Sequence, residues 1–503
     1  MFEGQPKGLY ALALANTGER FGYYTMIAVF ALFLRANFGL TPGMAGTIYS
    51  SFLMFVYFFP LIGGFMADKF GFGRMVTTGI LIMFAGYLLL AVPLGGDTVA
   101  LVVMLAALIS IGFGTGLFKG NLQVMVGDLY NDPQYADKRD SGFSIFYMAI
   151  NIGALFAPTA AIRIMEWAQT SLGVSENDSY HFAFAVACAS LILSIAIYYL
   201  FRGTFRHVEG GKKKGDAAAV VDTLTPAQTK ERLIALILVF GVVAFFWMSF
   251  HQNGLSLTYF ANEYNETSAE GVKAMAFNVW NLVAIVLMVY AAFSLFQGKT
   301  AKSRGIAAVV ILAALGFLAY NYGVLDGSVE VKAPIFQQFN PFYVVALTPV
   351  SLAIFGWLAA RNKEPKAPRK IAYGMIVAAV AFCLMLYASL TLPSPTEQAA
   401  LGDAAPRVSS YWLISTYLVL TFGELLLSPM GISFVSKVAP PKYKGACMGG
   451  WFVSTAVGNQ LVMVGGLLWG DLPLWSVWAV FACLCLLAAA FMFAIMKRLE
   501  KVC

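Results

Sequence analysis

Apolar residues run through this chain in long stretches, separated by short polar or glycine- and proline-bearing breaks. A helix that crosses a bilayer needs about 20 consecutive, mostly apolar residues. Stretches of that kind fall at roughly 10–35, 43–67, 75–94, 99–127, 142–168, 180–201, 231–261, 272–297, 305–325, 338–360, 371–392, 411–436, 445–469 and 473–496. The pattern predicts an all-α polytopic membrane protein with 14 transmembrane helices. Composition narrows the alternatives. Hydrophobic residues make up 59% of the 503 and charged residues 12%, about half the charge of a soluble domain. Such hydrophobicity excludes intrinsic disorder, and six cysteines are too sparse for a secreted disulfide scaffold. The short polar start, Met1–Tyr10, leads into an apolar stretch containing Glu19 and Arg20, which does not read as a cleaved signal peptide.

Charge orients the spans. An even number puts both termini on one side. With the N-terminus inside, 26 Lys and Arg fall on inside segments. Five (Arg35, Arg163, Lys273, Lys332 and Arg407) fall on or near the outside, and Arg20 and Lys119 lie within spans. That asymmetry follows the positive-inside rule and predicts cytoplasmic termini. The net charge of +7 therefore reflects basic cytoplasmic loops rather than a nucleic-acid partner. The longest and most basic inside connection is 203–230, with Lys212, Lys213 and Lys214. It divides the chain into a six-span bundle, 1–202, and an eight-span part, 231–503. Two six-helix bundles joined by such a linker is the layout of the major facilitator fold, and 231–503 then carries two spans beyond that layout.

Two motifs carry candidate chemistry. After the second span comes Gly64-Phe-Met-Ala-Asp68-Lys69-Phe-Gly71-Phe-Gly73-Arg74. It resembles the cytoplasmic loop motif of the major facilitator superfamily, in which the glycines permit a tight turn and Asp68 and Arg74 lock one conformation. The plain alternative is solvated loop charges. Within the first span, Asn16, Glu19, Arg20, Tyr23 and Ile27 recur at helical spacing and so share one face. A charge at a helix centre costs about 2.5–3.5 kcal/mol on insertion scales, so that face is expected to look into a water-filled cavity. A structural Glu–Arg pair joining helices is the alternative.

With Glu19-Arg20-Phe21-Gly-Tyr23-Tyr24 on the page, the chain resembles the proton-coupled oligopeptide transporter family, which opens with Glu-x-x-Glu-Arg-Phe-x-Tyr-Tyr. Further stretches agree in family order: Phe118-Lys119-Gly-Asn121, Phe146-Tyr147-Met-Ala-Ile150-Asn151-Ile-Gly153, Phe339-Asn340-Pro341, and Gly423-Glu424-Leu-Leu-Leu-Ser428-Pro429-Met-Gly431, with Trp451 at the family's eleventh-helix tryptophan. Three positions depart. Asn16 stands where the family has its first glutamate, Ile27 where it has an arginine, and His251, in Phe246-Trp247-Met-Ser-Phe-His251-Gln252, where it usually has an acid. The family's arginine and acid form an extracellular gate pair, which Ile27 and His251 cannot form. The two added helices also fall after the seventh helix, at roughly 272–325, and are expected to flank the bundle.

The resemblance implies a secondary active transporter that imports di- and tripeptides by proton symport, without a cofactor or metal. A short peptide is a zwitterion with amide links. Arg20 and Lys119 would meet its carboxylate, Arg20 through its planar fork, and Glu424 its amine. Asn151 and Asn340 would bond its amides, and Tyr23, Tyr24, Tyr57, Trp247 and Trp451 would line its pockets. Asn16 and His251 complete the expected substrate site. Glu19, Arg20, Lys119, Glu424 and His251 are the candidates for proton coupling, and a Lys119–Glu424 pair joins Asp68 and Arg74 as a candidate gate. Most other aromatic residues belong to packing and the lipid belt. A monomer in a bacterial cytoplasmic (inner) membrane is expected. The rivals are a carrier of the same fold for amino acids or another small solute, with altered or absent proton coupling, a membrane enzyme, and a channel or sensor. No His-Glu-x-x-His and no convincing serine–base arrangement supports an enzyme.

Overall fold

A computed structural model describes residues 4–210, 224–298 and 300–502. The basic run Lys212–Lys214, together with Lys299 and Cys503, lies outside the described residues. Six long helices come first: α1 (Lys7–Phe38), α2 (Pro42–Phe70), α3 (Phe72–Ala91), α4 (Thr98–Asp128), α5 (Arg139–Leu172) and α6 (Glu176–Leu200). Helix α7 (Pro226–Phe250) passes through a 3-10 turn, His251–Gly254, into α8 (Ser256–Glu263). Strand β1 (Ser268–Glu270), a short α9 (Gly271–Met275), the pair α10 (Val279–Gln297) and α11 (Ala301–Gly323), and strand β2 (Ser328–Glu330) follow. The chain ends with α12 (Phe339–Ala359), α13 (Ala367–Ala388), a short α14 (Pro395–Leu401), α15 (Tyr411–Val438), α16 (Lys444–Leu461), α17 (Met463–Leu467) and α18 (Leu474–Val502).

Local chemistry sets these limits. Thr41, Asp97 and Ser175 each accept a backbone N–H at the start of α2, α4 and α6. Thr225 and Gln228 form a reciprocal capping box that starts α7. Gly39 (φ 60°) and Gly173 (φ 67°) end α1 and α5 in the left-handed conformation that favours glycine.

Among the described residues, 13 helical segments are long and apolar enough to cross a membrane. Two expected spans differ in detail. The span at 445–469 is divided between α16 and α17. Its sequence is rich in Gly, Ala, Ser and Thr with Asn459 and Gln460, because it packs against α2 and α7 instead of lipid. The span at 231–261 is broken at His251, where Gly254 packs against the Tyr49 hydroxyl of α2.

Helices α1–α6 pack on one another, chiefly α3 on α4, α2 on α4, and α1 on α5 and α6. Helices α7, α12, α13, α15, α16 and α18 form a second group, led by α13 against α15 and α18. The added pair stands aside. Its α10 leans on α12 and touches α5, where Trp280 meets Phe156 edge-on at 5.3 Å, and α11 packs on α10 and α9. Strands β1 and β2 pair antiparallel, Ala269 opposite Val329, and clasp the pair at its neck.

The first and last described segments lie at one end of the bundle. Tyr130 donates to Gln5 (2.6 Å), and Glu500 takes Arg369 (2.5 Å) near the start of α13. That end is called proximal and the other distal. Six hydrogen bonds or ion pairs join residues 1–202 to 231–503 among the described residues, and all lie in the distal half. They are Arg35–Glu263 (2.5 Å), Lys332–Glu166 (3.2 Å), Gln337 to the Ala28 carbonyl (3.3 Å), Thr159 to Gln338 (3.4 Å), Tyr259 to the Pro42 carbonyl (3.4 Å) and Asn459 to the Leu53 carbonyl (3.4 Å). Backbones close the rest of this seam. A Cβ on Gly46 of α2 would meet the Gly466 Cα of α17 at 3.2 Å. The two groups of helices are therefore zipped distally.

Candidate functional site

The site lies where α1, α2, α4 and α5 face α7, α12 and α15 below the distal seam. Arg20 folds back along α1 and gives Nε and Nη2 to the two oxygens of its neighbour Glu19. Neighbouring residues do not face each other on a helix, so this pairing uses the flexibility of both side chains. Both are buried. Asn16 and Ile27 are buried too, so the expected polar face of α1 is packed in protein and does not border open water. The pairing also differs from the expected presentation of Arg20: two donors of its fork are already engaged by Glu19. Arg20 lies over the Tyr23 ring, with Cζ 4.6 Å from the centroid, and Tyr23 meets Tyr24 edge-on at 5.2 Å.

Lys119, midway along α4, has no carboxylate partner among the described residues. Its Nζ stands 4.1 Å from the centroid of the Tyr57 ring of α2, a cation–π contact of about 0.5–2 kcal/mol. Beyond Tyr57 lies His251, with ring centroids 6.2 Å apart, and His251 stacks on Trp247 at 5.2 Å and 21°. The Trp247 indole N–H is buried without a partner. His251 Nδ1 is 2.6 Å from Asn459 Oδ1.

On the facing side, Asn340 of α12 donates to Glu424 Oε2 and to Thr421 Oγ1 of α15, each at 3.0 Å. Glu424 Oε1 has no partner among the described residues, and the residue is 8% exposed. Its charge acts on Tyr24, Tyr57 and Tyr147, which belong to the other half. Arg20 acts on Tyr24 and Tyr57 as well, and the charges of Arg20 and Glu19 reach Lys119. Tyr147 is 45% exposed although it stands between the halves, and so it marks the space they share.

The structure thus brings Arg20, Tyr23, Tyr24, Tyr57, Lys119, Trp247, His251, Asn340 and Glu424 around one region. Asn151 stands one turn from Tyr147 on α5 and gives its amide to the Tyr147 carbonyl at 3.0 Å. Trp451 is buried with its indole against Gly431 of α15. Asp68 and Arg74 are exposed at the proximal end and make no hydrogen bond or ion pair among the described residues. Lys119 and Glu424 do not pair with each other. Three contributors were absent from the sequence-based site: Tyr147, Thr421 and Asn459. Tyr147 lies in a motif already noted, so proximity to Asn151 was the available signal. Asn459 had none, because its partners are 208 and 406 residues away in the chain.

The POT family model matches residues 73–229 and 322–465, more than half of the chain. The unmatched stretch between them holds α7 and the added pair. An uncharacterised transporter, YclF, of Bacillus subtilis is 29% identical over 494 residues, covering 93% of this chain and 89% of that protein. A di-/tripeptide transporter of Lactococcus lactis is 26% identical over 497 residues, with 92% and 89% covered. A dipeptide and tripeptide permease A of Chromobacterium violaceum is 29% identical, with 91% and 84% covered. Among solved structures, a peptide transporter bound to alafosfalin superposes with a TM-score of 0.73 at 24% identity, covering 100% of this chain and 96% of that one. A POT family transporter bound to 5-aminolevulinic acid gives 0.74 at 19% identity, with 99% and 98% covered. The fold is the major facilitator fold, and with these matched segments the chain belongs to the proton-coupled oligopeptide transporter family, whose members are carriers and not enzymes.

Proposed function

We propose that this protein imports di- and tripeptides together with protons by alternating access, in a bacterial cytoplasmic membrane with both termini in the cytoplasm. One observation carries the reading. Cations on the first half lie over its tyrosines, Arg20 over Tyr23 and Lys119 over Tyr57, and the anion on the second, Glu424, is felt by Tyr24 and Tyr57 of the same cluster. A zwitterionic peptide bridging them would couple its own binding to the relative position of the two halves. Lys119 takes the carboxylate first, since it is free of a carboxylate partner and Arg20 is engaged with Glu19. Glu424 takes the amine through Oε1 while Asn340 holds Oε2. With the termini cytoplasmic, the closed distal seam is an inward-facing state, and Asp68 and Arg74 are released. Glu19, Glu424 and His251 are the groups that exchange protons. Glu424 disfavours a purely anionic substrate, which it would repel.

The test is uptake of a labelled dipeptide by proteoliposomes with and without an inward proton gradient, alongside Glu19→Gln. Faster initial uptake with the gradient, lost in the variant, supports symport. Equal initial rates, or an unaltered variant, would refute it. Failure of unlabelled dipeptide to compete would move the substrate to another class.

A further inference from the structure

We infer that Asn459 is a positioning residue that fixes the proton of His251 on Nδ1 and leaves Nε2 as a hydrogen-bond acceptor in the space between the halves. The steps follow from donors and acceptors alone. The backbone carbonyl of Leu53 can only accept. Asn459 stands 3.4 Å from it, so the amide nitrogen faces α2. The amide oxygen must then face His251, 2.6 Å from Nδ1. That oxygen can only accept, so Nδ1 carries the hydrogen. In the neutral ring Nε2 is then bare, and it has no partner among the described residues. The ring plane is held by the Trp247 stack (5.2 Å, 21°) and by the edge of Phe250 at 5.4 Å.

The surroundings make this tautomer consequential. The groups facing His251 are Tyr57 from α2, Lys119 from α4, Asn459 from α16, and Trp247 and Phe250 from its own helix. Lys119 is the charged one, and no carboxylate is among them. A neutral acceptor at this place lets Lys119 keep its charge for a ligand, where a carboxylate would bind it. A proton arriving from water adds at Nε2, and the Asn459 oxygen continues to accept from Nδ1–H in the charged ring. The Leu53 contact joins the halves, so this orientation of Asn459 is assembled when the distal seam closes. An opened seam frees the amide to turn. The exchange of a proton at Nε2 rests on the transport reading; the tautomer does not.

The experiment is nitrogen-15 NMR of the full-length protein labelled at histidine. The chain has three histidines, and His251→Gln assigns the signal. At neutral pH the expected signature of His251 is a protonated Nδ1 and a bare Nε2. Asn459→Leu removes the acceptor, and the signal is expected to shift to the Nε2–H form or to a mixture of the two. Asn459→Asp keeps an acceptor of the same size and should retain Nδ1–H; it also serves if the leucine variant does not fold. An Nε2–H signature in the unmodified protein overturns the inference. So does an unchanged signature in a folded Asn459→Leu, or loss of Nδ1–H in a folded Asn459→Asp. No peptide enters this measurement, so failed peptide uptake leaves it standing, and its failure leaves the transport reading intact.

Discussion

Breaking the Arg35–Glu263 pair should open the distal seam. The pair joins the last turn of α1 to the end of α8 at 2.5 Å, with side chains 30% and 17% exposed. Arg35 also lies over Tyr259, 4.7 Å from its centroid, and Glu263 accepts from the Trp469 indole at 2.9 Å. By the sequence resemblance Ile27 and His251 stand where the family has its gate pair, and Arg35 and Glu263 lie eight and twelve residues farther out on the same two segments. The charged latch is thus displaced outward by about 12 Å on α1, at 1.5 Å per residue. A part-buried pair of this kind contributes more than an exposed one, about 1–2 kcal/mol, and the stacked guanidinium adds about 0.5–1 kcal/mol. Arg35→Met should therefore shift the balance between closed and open seams by about 2 kcal/mol, roughly 30-fold. Nitroxides on the exposed positions Ala36 and Ala399, in a cysteine-free background, report the distance by pulsed electron paramagnetic resonance. Arg35→Met and Glu263→Gln should each add a longer-distance population, and the double variant should add little more. Unchanged distances in both single variants, or fully additive shifts, would refute the latch.

Asn340→Ala removes the donor to Glu424. A hydrogen bond to a charged group contributes about 1.5–3 kcal/mol, so KM for a dipeptide should rise about tenfold or more while kcat changes less; steady-state uptake checks this. Gly46→Val places a side chain against Gly466, where a Cβ would already stand at 3.2 Å. It should lower the uptake rate more than the melting temperature, and the Ala36–Ala399 distance should lengthen. The added pair is clasped by β1 and β2, with Glu270 opposite Ser328. Replacing 271–327 by an Asn-Gly hairpin turn should give a folded protein that still takes up dipeptide. Loss of uptake in a stably folded excision would assign the pair a role in transport.

Much of this molecule was legible in its sequence because lipid imposes a simple rule on each span. Long apolar stretches located the helices, and their even number placed both ends of the chain on one side before any packing was known. The rule weakens where a helix is sheathed in protein: α16 carries Asn459 and several small residues, and its continuation past Leu461 is a separate short helix. The break at His251 was hidden for the same reason, since Gly254 is required by a contact with Tyr49, two hundred residues away. At the site, residue types were readable but partners were not. Glu19 and Arg20 were visible as charges in a span, and helical geometry placed them near one face. That Arg20 turns onto Glu19 is a rotamer choice that spacing cannot supply. Arg35 read only as one of the few basic residues on the outside, and nothing in the sequence joined it to Glu263, 228 residues away, until the fold did.

The most direct measurement is binding of three ligands to the purified protein: dialanine, its N-acetylated form and its C-terminal amide, each by isothermal titration. Recognition of both peptide ends across the two halves predicts that dialanine binds and that each blocked form binds at least tenfold more weakly. Glu424→Gln should then erase the penalty for acetylation but not that for amidation. Equal affinity for all three ligands would contradict recognition of the two charged ends by Lys119 and Glu424.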